Sequence, residues 1–199
     1  MVEIRFHSLG GQGAVTLVNL LAQAGDLAGW QVQAFPFFGA ERRGAPVKAY
    51  VRMDDKPIAL RSQIYQPNYL VILSTSLIEA AVTEGTREDT VLLVNMREDE
   101  AELVRGLPYE VYAVDATSIA LDLDMVVEGM PVLNIVFLGA VSNVTELVSL
   151  ETVTEVIRQN VPPSRLDASL QAARLGFTSV NLVRRAKPHA GKGRSAASG

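Results

Sequence analysis

Three runs, Tyr69-Leu-Val-Ile-Leu-Ser74, Thr90-Val-Leu-Leu-Val-Asn95 and Glu110-Val-Tyr-Ala-Val-Asp115, are apolar almost throughout. Each is followed by a helical stretch, at Leu77 to Glu84, Asp99 to Arg105 and Ala116 to Leu123. A strand that is apolar on both sides must be covered on both faces, and the crossover helices of a parallel sheet supply that cover. At the N-terminus Val2, Ile4 and Phe6 alternate with Glu3, Arg5 and His7, the pattern of one more strand. Gly10-Gly-Gln-Gly13 follows at once, then Val15, Val18, Leu21, Ala22 and Ala28 at helical spacing over Ala14 to Ala28, closed by Gly29. The fold class is therefore α/β, a mainly parallel sheet with helices on both faces.

Between the first and second of these units lies a different pattern. Gln31 to Phe35 predicts a second strand ending at Pro36, and Pro46 to Met53 alternates Val47, Ala49, Val51 and Met53 with Lys48, Tyr50 and Arg52. Asp54-Asp-Lys-Pro57 is a turn, after which Ile58 to Leu60 could pair back as a short strand. These pieces form a small antiparallel insertion after the second strand. Further on, Gly129-Met-Pro131 breaks the alternation. Val132 to Leu147, with Gly139, Ala140 and Ser142 in an apolar run, reads as a buried or interface helix. Leu150 to Asn160 is amphipathic, Pro162-Pro163 stops it, and Arg165 to Leu175 is a last helix that Phe177 to Val183 could prolong. One domain, residues 1–183, is expected, with residues 184–199 as a basic C-terminal tail whose Lys, Gly and Ser content predicts flexibility.

Composition narrows the function classes. The chain has no cysteine, which excludes disulfides, Cys-ligated zinc and an iron–sulfur cluster held by this chain alone. His7 and His189 are the two histidines, and neither metal-ligand spacing nor a nucleophile–His–acid set is visible. Catalysis would have to run through a cofactor or a partner. The hydrophobic fraction is 48%, yet the longest apolar runs fall far short of the roughly 20 residues of a membrane span. The excess apolar surface is assigned to a subunit interface. The start of the chain lacks a signal-peptide layout, so a cytoplasmic protein is expected, with neither a nucleic-acid partner nor a membrane span. Charge is asymmetric. No acid follows Asp167, while six basic residues do, and twelve basic against 22 acidic residues leave the remainder at −10. A tail of that sign suits an acidic neighbour.

Two stretches carry candidate chemistry, and their turns are expected to meet at one edge of the parallel sheet. Gly10, Gly11, Gln12 and Gly13 join a strand to a helix, the layout that aims backbone amides and a helix N-terminus at an anion. The stretch is neither a dinucleotide fingerprint, since Thr16 stands where the third glycine belongs, nor a phosphate loop ending in Gly-Lys-Ser/Thr. It reads equally as a turn needing positive φ, with Gln12 capping the turn or reaching a ligand, and Thr16 adding a hydroxyl. The second stretch is Gly39-Ala-Glu-Arg-Arg-Gly-Ala-Pro-Val47. Arg42 and Arg43 could hold a phosphate or carboxylate by two parallel hydrogen bonds, or pair with Glu41 or another chain. Asn134, an amide inside an apolar run, is a structural cap or a ligand contact. Asp115 ends a strand where α/β folds place ligands, and serves equally as an N-cap. His7 is read as a strand residue without special role.

Gly10-Gly-Gln-Gly-Ala-Val-Thr16, Leu20-Leu-Ala22 and Pro36-Phe-Phe-Gly-Ala-Glu-Arg-Arg-Gly-Ala-Pro-Val47 resemble the gamma subunit of the 2-oxoacid:ferredoxin oxidoreductases, the pyruvate:ferredoxin oxidoreductase or pyruvate synthase type. Asp115-Ala116 and Asn134-Ile-Val-Phe-Leu-Gly-Ala140 continue the resemblance, which covers about residues 3 to 160. It implies a subunit that is not catalytic alone, in a complex with alpha, beta and cluster-carrying subunits. Thiamine diphosphate, 4Fe–4S clusters and coenzyme A would belong to the complex, with no cofactor held by this chain alone. The implied reaction is coenzyme A-dependent oxidative decarboxylation of a 2-oxoacid, with electrons passed to ferredoxin or another acceptor. Pyruvate is the default substrate, and aryl 2-oxoacids such as phenylglyoxylate are the alternative. Gly10 to Gly13, Thr16, Arg42, Arg43 and Asn134 would be the cofactor-facing residues. Two other readings stay open: a stand-alone nucleotide-binding redox enzyme, and a purely structural scaffold subunit.

Overall fold

The computed structural model describes residues 1–37 and 44–186. The chain runs through β1 (Val2–Leu9), α1 (Ala14–Leu27), β2 (Gln31–Phe37), β3 (Pro46–Asp54), β4 (Tyr69–Ile72), α2 (Ile78–Thr83), β5 (Val91–Asn95), β6 (Glu110–Val114) and α3 (Ala116–Asp122). A hairpin of β7 (Val126–Val127) and β8 (Met130–Pro131) leads to α4 (Asn134–Thr145), α5 (Leu150–Asn160), α6 (Pro163–Thr178) and β9 (Asn181–Arg184). The main sheet has the order β2-β3-β1-β4-β5-β6-β9. Its centre, β1-β4-β5-β6, is parallel. The strand β3 lies antiparallel between β2 and β1, which is the expected insertion.

Four local expectations change. Ile58 to Leu60 form no strand, because β1 and β2 already occupy both edges of β3. The stretch Glu98–Val104 is a 3-10 helix rather than an α-helix. The last helix stops at Thr178, and the chain returns as β9, antiparallel to the otherwise open edge of β6. This strand carries regular structure to Arg184, the first residue assigned to the tail; residues 187–199 lie outside the described residues. The β7–β8 hairpin was not expected. Its turn places Glu128 and Gly129 at φ 49° and 80°, the positive pair that a two-residue hairpin turn requires.

Helices cover both faces. On one, α1, α3, α4, α5 and α6 enclose a core that includes Ile4, Phe6, Leu17, Leu21, Val51, Val136 and Phe137. On the other, α2 and the 3-10 helix, the latter through Val104, cover Leu70, Ile72, Leu92 and Val94. The apolar run that begins α4 is buried from Asn134 to Ser142, so it is a core helix.

The polar side of β1 is not a solvent face. Arg5 is fully buried, and its terminal nitrogens donate to four carbonyls: Ile64 at 3.2 Å, Tyr65 at 3.0 Å, Ala81 at 2.8 Å and Gly85 at 2.7 Å. Arg52 on β3 is equally buried. It donates to Glu3 (2.8 Å) and Gln33 (3.0 Å) and lies over the Phe35 ring. His7 sits beside them, with Nε2 3.9 Å from Glu84 Oε2 and no hydrogen-bond partner among the described residues. Desolvation, then the Arg5 charge, lowers its pKa to about 4. The unfolded chain takes up this proton near pH 6.5 while the folded chain refuses it until about pH 4. Stability from this group is therefore complete above pH 6.5 and is lost as pH falls toward 4, by up to about 3 kcal/mol. Urea unfolding from pH 7 to pH 4 should show a shallower acid-side loss in His7→Gln than in the wild type. Equal slopes would contradict the assignment.

Candidate functional site

The carboxyl ends of β1, β4, β5 and β6 form one edge, where an open parallel sheet places its ligands. The glycine turn lies on this edge and is tied to Gly44 and Ala45, near the end of the second stretch. Gly10 N donates to Ala45 O (2.9 Å) and Gly44 N donates to Gly10 O (3.2 Å). The two turns read from the sequence thus meet through their backbones. Arg42 and Arg43, with Glu41, lie outside the described residues.

Both outer glycines of Gly11-Gln-Gly13 are required by geometry. Gly11 has φ 100° and Gly13 φ 87°, and a Cβ on either would come within 3.1 Å of a neighbour. For Gly11 that neighbour is the Met130 sulfur on the hairpin; for Gly13 it is the Asn134 side chain. Gly13 is the N-cap of α1 and its carbonyl accepts from Leu17 N, leaving the amides of Ala14, Val15 and Thr16 as first-turn donors. The N-termini of α1 and α4 converge here, Gly13 against Asn134. The partial positive charge of both helix ends gathers beside an exposed Gly11 backbone. In kind, these donors suit a phosphate or another anion.

The candidate side chains separate into two groups. Gln12 turns inward: its Oε1 accepts from Leu9 N (2.7 Å) and its Nε2 donates to Leu73 O (3.2 Å). It locks the turn and does not reach out. Asn134 is buried, with its Oδ1 accepting from Ile135 N (2.8 Å). Asp115 caps α3, accepting from Ser118 N (3.0 Å) and Ser118 Oγ (2.7 Å). Thr16, by contrast, is exposed and lines a cavity of about 660 Å³. Asn19 and Gln23 of α1, Asn134, and Ser164 and Arg165 of α6 also line it.

One residue on this edge escaped sequence reasoning. Asn95, at the end of β5, donates to Leu73 O (3.0 Å) and Thr117 Oγ1 (2.8 Å) and accepts from Ala116 N (3.0 Å) and Thr117 N (3.3 Å). Leu73 O thus receives both Gln12 and Asn95, and one amide relay joins the glycine turn, β4 and the first turn of α3. Its only sequence signal is an amide that ends an apolar strand.

Fold and edge together define an α/β domain whose strand ends gather the first-turn amides of α1 and the N-termini of two helices. The model of the pyruvate ferredoxin/flavodoxin oxidoreductase family matches residues 3–179, and the chain belongs to that family, as a gamma-type subunit of an oxidoreductase complex. It is 44% identical over 186 residues to the common gamma subunit of the pyruvate/ketoisovalerate oxidoreductases of Pyrococcus abyssi, covering 92% of this chain and 98% of that one. It is 42% identical over 181 residues to the pyruvate synthase subunit PorC of Methanocaldococcus jannaschii, covering 90% and 97%. The crystal structure of the pyruvate oxidoreductase subunit PORC of Thermotoga maritima superposes with a TM-score of 0.79 at 36% identity, covering 90% of this chain and 97% of that one. No helix among the described residues is long and apolar enough to cross a membrane.

Proposed function

We propose that this chain is the gamma subunit of a cytoplasmic complex that oxidises pyruvate, or a branched relative of it, to the acyl-coenzyme A and carbon dioxide. Electrons leave to ferredoxin or another acceptor. The observation that carries this reading is the near full-length match to a common gamma subunit of pyruvate/ketoisovalerate oxidoreductases and to a pyruvate synthase subunit PorC. Ketoisovalerate, an aliphatic 2-oxoacid in the relatives' names, is the nearer alternative substrate, and aryl 2-oxoacids such as phenylglyoxylate stay the further one.

The division of labour follows from chemistry. Thiamine diphosphate would supply the carbanion needed for decarboxylation, and iron–sulfur clusters would carry single electrons. This chain has no cysteine to hold a cluster. Its own contribution is the anion edge: the Gly11 backbone, the first-turn amides of α1, the Thr16 hydroxyl, and the guanidinium groups of Arg42 and Arg43 for coenzyme A phosphates. Gln12 and Asn134 support that edge from within, on the strength of their inward hydrogen bonds.

Purification of the tagged chain from its native cells, with mass, iron and thiamine analysis, tests the assembly. The expected result is co-purifying cysteine-bearing subunits, both cofactors, and dye reduction that needs pyruvate and coenzyme A together. A stable 21.5 kDa monomer that binds NAD(H) would instead favour a stand-alone nucleotide-binding enzyme.

A further inference from the structure

The stretch between β3 and β4 has no regular structure from Pro57 to Arg61, yet its second half is fastened carbonyl by carbonyl. Gln63 O accepts from Arg52 (3.4 Å), Ile64 O and Tyr65 O from Arg5 (3.2 and 3.0 Å), and Pro67 O from the Thr90 hydroxyl (2.7 Å). The donors Arg5, Arg52 and Thr90 are all buried, and the Gln63 side chain accepts from Tyr50 OH (3.2 Å). Gly85 approaches Tyr65 O so closely that a Cβ there would sit 2.7 Å from it. Ile64 and Pro67 are buried on either side, while the Tyr65 side chain is 60% exposed and that of Leu60 48%.

A large side chain held out on an immobilised backbone loses little freedom on binding, which is the property of an interface anchor. Charge gives the second argument. From Lys56 to Asn68 there are two basic residues, Lys56 and Arg61, and no acidic one, although the body of the chain up to Asp167 nets −10. We infer that Lys56–Gln66 docks another subunit of the complex, with Tyr65 as the pre-ordered anchor and Leu60 adding exposed apolar area, against an apolar surface edged by carboxylates. The inference rests on the assembly reading above.

The test uses the co-expressed complex carrying Leu60→Ala with Tyr65→Ala, and separately Arg61→Glu. Dissociation is followed by native mass spectrometry on dilution. The double variant should leave the complex at a protein concentration roughly thirtyfold or more above that of the wild type, the loss typical of a central anchor. Arg61→Glu should weaken the complex most at low salt and flatten or reverse its dissociation by salt, while Arg61→Lys should keep the wild-type salt dependence. The full-length double variant should melt within about 2 °C of the wild type, since both side chains are exposed. Unchanged dissociation would overturn the inference. So would light scattering that shows the wild-type chain as a dimer and the double variant as a monomer, which would assign the surface to a second copy. Failure of the wild-type chain to recover any partner would refute the assembly reading itself, and is distinct from a complex that ignores these substitutions.

Discussion

Gly139→Ala should lower the melting temperature by roughly 6–12 °C, and Gly176→Ala by a similar amount, on the basis of about 3 kcal/mol for overpacking a site that cannot relax. The helices α4 and α6 make the most extensive helix–helix contact in the molecule. At their crossing a Cβ on Gly139 would stand 1.9 Å from Ala173 O, and one on Gly176 2.0 Å from Val136 O. Both obstacles are backbone, so no rotamer change removes them. The helices would have to move apart, opening the core around Phe137, Ala140 and Ala173. The double variant should lose less than the sum of the singles, because one separation serves both methyl groups. Gly106→Ala is the control, with nothing within 4 Å of its added Cβ, and should change stability by less than about 0.5 kcal/mol. Thermal melting of the four proteins checks this. Wild-type behaviour in Gly139→Ala would mean that the helices cross elsewhere.

Removing the Arg5 guanidinium has the second large effect. Arg5→Leu should cost about 3–5 kcal/mol, as expected when buried polar partners lose their charged donor. Four carbonyls depend on it, and those of Ala81 and Gly85 stand at and just beyond the C-terminal end of α2, where a helix lacks donors of its own. Burial lowers the arginine's pKa, against the opposing pull of the Glu84 carboxylate. Arg5→Lys should recover only part of the loss, since one ammonium cannot reproduce the fork that serves two pairs of carbonyls. Urea unfolding measures the loss, and limited proteolysis should cut first between Pro57 and Gln66, which loses the anchorage of Ile64 and Tyr65. A loss under about 1 kcal/mol would show that water replaces the guanidinium without difficulty.

The sequence is legible where its pattern is local. Continuous apolar strands such as Tyr69–Ile72 declared a covered parallel sheet, and Gly10 to Gly13 declared its turn, because both patterns are local. The alternation of Glu3, Arg5 and His7 correctly gave a strand but said nothing of what would cover its polar side. That cover comes from residues 63–65 and 81–85, more than fifty residues away. Strand β9 was missed for the same reason: Asn181–Arg184 is too short to declare itself and is selected by the open edge of β6. At the candidate site, the meeting of the two turns was readable from their shared place after strands. Gln12 capping the turn was one of two readings, and the choice between them, like the role of Asn95, depends on Leu73 O, which no motif names.

We propose above that the edge where Gly10 meets Gly44 and Ala45 serves coenzyme A. The direct test is the apparent KM for coenzyme A in the intact complex carrying Arg42→Ala, Arg43→Ala or Thr16→Val. An arginine that meets a phosphate should raise that KM at least tenfold when removed, with the KM for the 2-oxoacid unchanged, and Thr16→Val should raise it by a smaller factor. An unchanged KM for coenzyme A in all three variants, with the complex fully assembled, would contradict the claim.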